Sequence, residues 1–143
     1  MSDIANIEKI LGEQGVYVST TSGVSMVPML RDRRDTIVIK PAKERLKKYD
    51  VALYRRGDSY VLHRVIKVLP DSYVIRGDNC IKKEFGITDA DILGKLVEFY
   101  RKDKRVDMNK LSYRAYCVMI CAAHPFVSLK LRLKFLFARK RAE

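Results

Sequence analysis

The sequence predicts a mainly β domain, preceded by a short helix and followed by a helical, basic segment. Three observations lead there. Between Val16 and Tyr100, short runs rich in Val, Ile, Leu and Tyr alternate with polar turns holding Gly, Asp or Pro, as antiparallel strands do. Ahead of them, apolar residues recur at a helical period, and behind them the charge balance changes. A chain of 143 residues holds one domain with a core rather than two, so the expected organisation is a helix over 1–17, a β domain over 18–100 and a basic, partly apolar appendage over 101–143.

In "DIANIEKILGEQG", Ile4, Ile7, Ile10 and Leu11 lie on one helical face, and Gly12 and Gly15 mark its end. The runs "DTIVIK", "DVALYRR", "SYVLHRVIKVL", "SYVIRGD" and "ILGKLVEFYRK" give five or six short strands, spaced for a mostly antiparallel, barrel-like sheet. A helical turn is expected in "KPAKERLKKYD" between two of them. "MNKLSYRAYCVMICAAHPF" predicts a helix stopped near Pro125, whose apolar run from Ala115 to Ala123 falls far short of the roughly 20 residues that span a bilayer. "VSLKLRLKFLFARKR" alternates like a strand, yet its Leu, Lys, Arg and Ala favour a basic helix; periodicity alone does not settle it, and composition leans to the helix.

A hydrophobic content of 48% excludes a disordered chain, and 32% charged residues imply a well-solvated surface. Three cysteines without disulfide-framework spacing, and no secretory signal ahead of them, predict a reducing, cytoplasmic setting. The net charge of +12 is uneven: residues 1–100 hold 17 Lys/Arg against 14 Asp/Glu, whereas residues 101–143 hold 12 against 3. The basic character therefore belongs to the C-terminal part, and the expectation is peripheral contact with an anionic membrane through residues 108–141, with no nucleic acid as partner.

Chemistry concentrates in three elements. In "TSGVSMVPML", Gly23 and Pro28 fix a turn that projects Ser25, while Met26 and Leu30 anchor its flanks in apolar surroundings. A serine hydroxyl is a poor nucleophile without a base in reach. His63, in "YVLHRV", shares a strand face with Val61 and Val65; Arg64 points to the opposite face and is expected to be a surface charge. The third element is "RGDN" with Asp78, whose side chain is equally suited to capping its own turn. Cys117, Cys121 and His124 fall at helical spacing, but three ligands without a fourth in an apolar run predict core packing, so no metal or cofactor is expected.

The order and spacing of the three elements, with His63 following Ser25 by 38 residues and Asp78 following His63 by 15, resemble the signal peptidase family, and within it the Ser-His branch. The resemblance covers about Val18 to Val97. It implies the β fold of signal peptidases and repressor-type autoproteases, with Ser25 as nucleophile, His63 as general base and the Ser25 N–H in the oxyanion hole. An acid, Asp78 or Glu84, would support His63, with Asp78 preferred. The implied substrate is an extended precursor or leader peptide cut beside small residues. Four departures stand out. No transmembrane helix precedes Ser25, which implies a site facing the cytosol. Gly-Asp pairs at two strand starts appear as Arg34-Asp35 and Tyr49-Asp50. Gly23 replaces a hydroxyl residue, and Glu84 replaces an aspartate. Two alternatives remain. A repressor-type autoprotease needs a DNA-binding domain for which the residues before Ser25 are too few, and a non-catalytic peptide- or membrane-binding module would have no use for an intact Ser25 and His63.

Overall fold

Helix α1 spans Asp3–Gln14 and turns Leu11, 4% exposed, into the core with Ile7 packed beside it. Gly15, at φ 69°, ends it by donating its N–H to the Leu11 carbonyl at 3.1 Å, a left-handed cap that only glycine adopts freely. The computed structural model describes residues 3–142, with side chains described from Ala5 on, so the expected role of Ile4 lies outside the described residues.

Eight strands follow: β1 (Tyr17–Thr20), β2 (Thr36–Lys40), β3 (Val51–Arg56), β4 (Ser59–Val68), β5 (Tyr73–Arg76), β6 (Glu84–Ile87), β7 (Ile92–Arg101) and β8 (Lys104–Val106). They form one curled antiparallel sheet, a half-barrel, in the order β1-β2-β7-β3-β4-β5-β6 with β8 paired to β7. The mainly β class is as expected, but the strand number exceeds five or six. The additions β1, β6 and β8 have four, four and three residues, too short for alternation to register.

The expected helical turn in "KPAKERLKKYD" does not form. Tertiary anchors hold that segment extended: Leu46 is 2% exposed and donates its N–H to Tyr73 Oη at 3.1 Å, while Arg45 stacks over the Tyr73 ring and donates to the Leu69 carbonyl at 2.9 Å. Tyr49 takes φ 79°, a left-handed conformation that glycine adopts more freely. At the other Gly-Asp position the left-handed residue is Arg33, φ 55°, and Asp35 is fully buried, accepting the Arg31 N–H at 2.9 Å.

Strand β3 is covered on both sides. Val51 and Leu53 enter one apolar cluster with Met26, Met29, Leu30, Ile39, Leu96 and Phe99, and Ala52 and Tyr54 enter another with Leu46, Val65, Tyr73 and Ile75. Helix α2 (Leu111–Ala122) lays Tyr113 and Tyr116 on the first cluster and buries Cys117 and Ile120. The first C-terminal helix stops near Pro125 as expected, ending at Ala122 with Ala123 as its cap. The axis bends by 59° at Ala123 and continues as α3 (His124–Ala142), with Pro125 in its first turn where a missing N–H costs nothing. The helical preference for "VSLKLRLKFLFARKR" is thus met, and α3 buries no residue.

Arg64 is not a surface charge. It lies opposite Val51 on the face that Met29 and α2 cover, and is 0% exposed. Its Nε and Nη2 donate to Asp78 Oδ1 and Oδ2 at 2.7 and 2.8 Å, its Nη1 to the Tyr49 carbonyl at 3.0 Å, and Cys117 Sγ lies 3.2 Å from Nη1. Tyr116 Oη donates to Asp78 Oδ2 at 3.0 Å. Burial disfavours the guanidinium charge, but the paired carboxylate outweighs it and raises the Arg64 pKa. Asp78→Ala leaves that cation unpaired in the core, so urea unfolding should show a loss of about 3–5 kcal/mol. The apolar pair Arg64→Met with Asp78→Leu should recover most of it, and a single-variant loss below about 1 kcal/mol would show that the pair does not hold the fold.

Candidate active site

The serine turn is held from beneath. The Thr21 hydroxyl lies 2.5 and 3.1 Å from the Arg31 and Asp35 carbonyls, and the Thr21 N–H donates to the latter at 2.8 Å. Gly23 sits at φ 86° with its N–H on Asp32 Oδ1 at 2.8 Å, a conformation that accounts for glycine two residues before the serine. The Val27–Pro28 bond is cis, and Met26, Met29 and Leu30, each at most 4% exposed, pin the turn to the core. Ser25 is left half-buried at the top. Among the described residues its N–H donates to no partner, as a donor aimed at a developing oxyanion must.

His63 reaches the same place from β4. It and Ser25 line one cavity of about 350 Å³, with Leu30, Ile37, Tyr60, Leu62 and Cys80 around them. The two side chains share it without a direct hydrogen bond, a contact that commonly tightens only around a substrate. The ring is 5% exposed, with Tyr54 Oη 3.1 Å and Glu84 Oε1 3.8 Å from Nδ1, and Cys80 Sγ 3.9 Å from Nε2. Glu84 opens β6 and also accepts Arg56 Nη1 at 2.9 Å.

Burial lowers the His63 pKa from 6.5 to about 4; the Glu84 carboxylate pulls it back up and Arg56 pushes it further down. The imidazole is therefore neutral at pH 7 and able to take a proton. Burial, then Glu84, raises the Tyr54 pKa, so the phenol keeps its proton and stands as a neutral donor between the carboxylate and the ring.

The sequence order of preference between the two acids is reversed by this geometry. Both Asp78 oxygens are committed to Arg64 and Tyr116, whereas the half-buried Glu84 faces Nδ1. The Gly-Asp-Asn element instead performs three tasks. Gly77 permits close approach: a Cβ there would stand 2.7 Å from the Ser25 carbonyl oxygen and 3.0 Å from His63 Cδ2. Asp78 neutralises Arg64. Asn79 donates its N–H to the Ser25 carbonyl at 2.8 Å and its Nδ2 to the Val24 carbonyl at 3.1 Å, clamping the serine turn.

Two site residues escaped the sequence reading, Tyr54 and Cys80. Tyr54 is visible only through the register that pairs Ala52 with His63 and Tyr54 with Val61, which makes Tyr54 the diagonal neighbour of His63 on one face. Cys80 carries no motif of its own; it follows the Gly-Asp-Asn element directly, and its pKa is raised by burial. Cys117, Cys121 and His124 do not converge. Cys117 Sγ contacts Arg64, and His124 Nε2 lies 2.8 Å from the Cys80 carbonyl. No protein-family model and no curated protein match the chain.

Two measurements test this geometry. The His63 ring should titrate near 4 by NMR, and Glu84→Gln should lower that midpoint, because the carboxylate favours the imidazolium. Since the folded value lies below the unfolded 6.5, the unfolded chain binds a proton first, and stability should fall as pH drops from about 6.5 to about 4. A His63 midpoint at or above 6.5 would contradict the buried, neutral ring. Gly77→Ala should destabilise the protein by about 1–3 kcal/mol and shift the Ser25 and His63 resonances together, as overpacking between two fixed groups does.

Proposed function

We propose that the chain is a serine endopeptidase of the signal-peptidase type, with Ser25 as nucleophile and His63 as general base. One observation carries the reading: a glycine-supported serine turn and a neutral, buried histidine line one cavity, and the histidine's far nitrogen is held by Tyr54 beside Glu84.

In the proposed reaction Ser25 Oγ attacks the scissile carbonyl carbon as its proton passes to His63 Nε2, and the oxyanion takes the Ser25 N–H. Collapse breaks the C–N bond, and Nε2 returns the proton to the leaving amine. Water, deprotonated by the same nitrogen, then hydrolyses the acyl ester and restores Ser25. Tyr54 and Glu84 orient the ring, and Glu84 offsets the charge that forms on it.

The substrate class follows from the open edge of the sheet. Strand β5 pairs with β4 only from Arg64 to Val68, so among the described residues Ser59 to His63 have β3 on one side and no strand on the other. An extended peptide that adds there delivers a carbonyl to Ser25 through backbone hydrogen bonds. A cavity of about 350 Å³ walled by Leu30, Ile37 and Leu62 suits small apolar side chains beside the cut, as in a leader or precursor peptide.

A specific observation raises one rival nucleophile, since the Cys80 thiol lies 3.9 Å from His63 Nε2. Its raised pKa keeps it protonated, which favours the serine. A fluorophosphonate should label Ser25, and Ser25→Ala and His63→Ala should each abolish cleavage of precursor-like peptides while the double variant loses no more than either. Cys80→Ala should keep most activity. Full activity in Ser25→Ala, or its loss in Cys80→Ala alone, would move the nucleophile to Cys80. The kcat/KM profile should stay flat from neutral pH down to about 5 and fall with an apparent pKa near 4, as protonated His63 loses its role as base.

A further inference from the structure

Helix α3 carries two apolar stripes instead of one. Phe126, Leu129, Leu133, Leu136 and Phe137 recur at helical spacing along one side, and Val127, Leu131, Phe135 and Ala138 along the other. Lys130, Lys134 and Arg141 fill one seam between them, and Arg132 lies in the other. Opposed stripes cancel in any single-face pattern, and this is why the alternation in "LKLRLK" did not reveal a helix.

The two stripes differ in cover. Val127 and Leu131 are half-buried, so the second stripe turns its first half toward the body. Phe126, Leu129, Leu133, Leu136 and Phe137 are 76, 56, 45, 56 and 64% exposed. On α2, Val118 and Met119 are likewise 52 and 56% exposed. Such an area on a folded chain marks an interaction site.

Charge selects the occupant. Residues 108–142 contain eight Lys/Arg and no Asp/Glu. A second copy brings cations against cations, and nucleic acid leaves the apolar stripe in water. Anionic lipid satisfies both features, with aliphatic and aromatic side chains among the acyl chains and the long basic ones at phosphate level. The basic field continues onto the body at the root of α3, where burial first, and then buried Arg76, its Nε without a hydrogen-bond partner among the described residues, and Lys83 disfavour charge on His124. Among the described residues no single helix is long and apolar enough to cross a membrane; α2 and α3 reach that length and composition only as a pair bent by 59°.

We propose that α2 and α3 dock the protein on an anionic phospholipid surface, with Phe126, Leu129, Leu133, Leu136 and Phe137 in the acyl region and Lys130, Arg132, Lys134 and Arg141 at the phosphates. This docking is independent of whether Ser25 is a nucleophile.

The test is flotation of the full-length protein with phosphatidylcholine vesicles, with and without phosphatidylglycerol, at low and high salt. Binding should require phosphatidylglycerol and weaken with salt, and Lys130→Gln or Lys134→Gln should each lower partitioning about fivefold. Leu133→Ser with Leu136→Ser should reduce it at least as much, while the thermal midpoint of the β domain stays unchanged, because neither residue is buried. Equal binding to neutral vesicles, binding to none, retention through alkaline carbonate as a spanning helix pair would show, or capture by double-stranded DNA or RNA with vesicles ignored would each overturn the proposal.

Discussion

A guanidinium removed from water at the centre of a sheet must be neutralised by something equally buried, and the Arg64–Asp78 pair is where four parts of this chain meet. Arg64 comes from β4 and Asp78 from the loop after β5. Met29 of the serine turn places its sulfur 3.1 Å from Nη2, and α2 supplies Tyr116 and Cys117. Neither charge tolerates the loss of the other in this setting, so each element is held at the position that keeps the pair closed. The half-barrel is thereby closed by a polar clamp on the face that α2 covers, with apolar packing around it.

The same strand carries the clamp and the candidate base. His63 and Arg64 are consecutive, so the pleat sends them to opposite faces, and whatever fixes Arg64 fixes the ring as well. The next fixed point is the Gly-Asp-Asn segment: Asp78 holds Arg64 while Asn79 holds the Ser25 carbonyl, two adjacent residues of one backbone tying the buried pair to the serine turn. Ser25 and His63 therefore keep their relation without bonding directly to each other. Rigid neighbours position them, which is the condition for a preorganised site.

Much of this arrangement was legible in the residues, and the gaps have physical causes. Glycine before Ser25, proline after it and the alternation around His63 are local signals, and the backbone obeys them: Gly23 is left-handed, and β4 runs as read. Arg64 was misplaced because alternation assigns a face but not its cover, and the cover here is a helix that arrives 47 residues later in the chain. Tyr54 and Glu84 were invisible or undervalued because they meet His63 only through β3–β4 register and the pairing of β6 with β5. In "KPAKERLKKYD" good helix formers lost to one buried leucine and a tyrosine hydroxyl, an ordinary case of tertiary contacts overriding propensity.

A histidine with a pKa near 4 is a weak base, and this bears directly on the proposed chemistry. Burial, which dominates the shift, disfavours the imidazolium before and after proton transfer alike, so by itself it would raise the barrier as much as it keeps the resting ring neutral. What distinguishes the two states is the charge that appears on the ring when Ser25 gives up its proton. Glu84, 3.8 Å from Nδ1, interacts with that charge far more strongly than with the neutral ring, and in the tautomer that leaves Nε2 free the Nδ1–H donates a hydrogen bond to Tyr54 Oη, which fixes the ring's direction. The carboxylate thus contributes most when the cation forms, which is the differential stabilisation that lowers a barrier. Arg56, bound to the same carboxylate, works against it by holding part of that charge. The resting structure keeps His63 neutral, and the Glu84 carboxylate stands where the proposed reaction would develop positive charge.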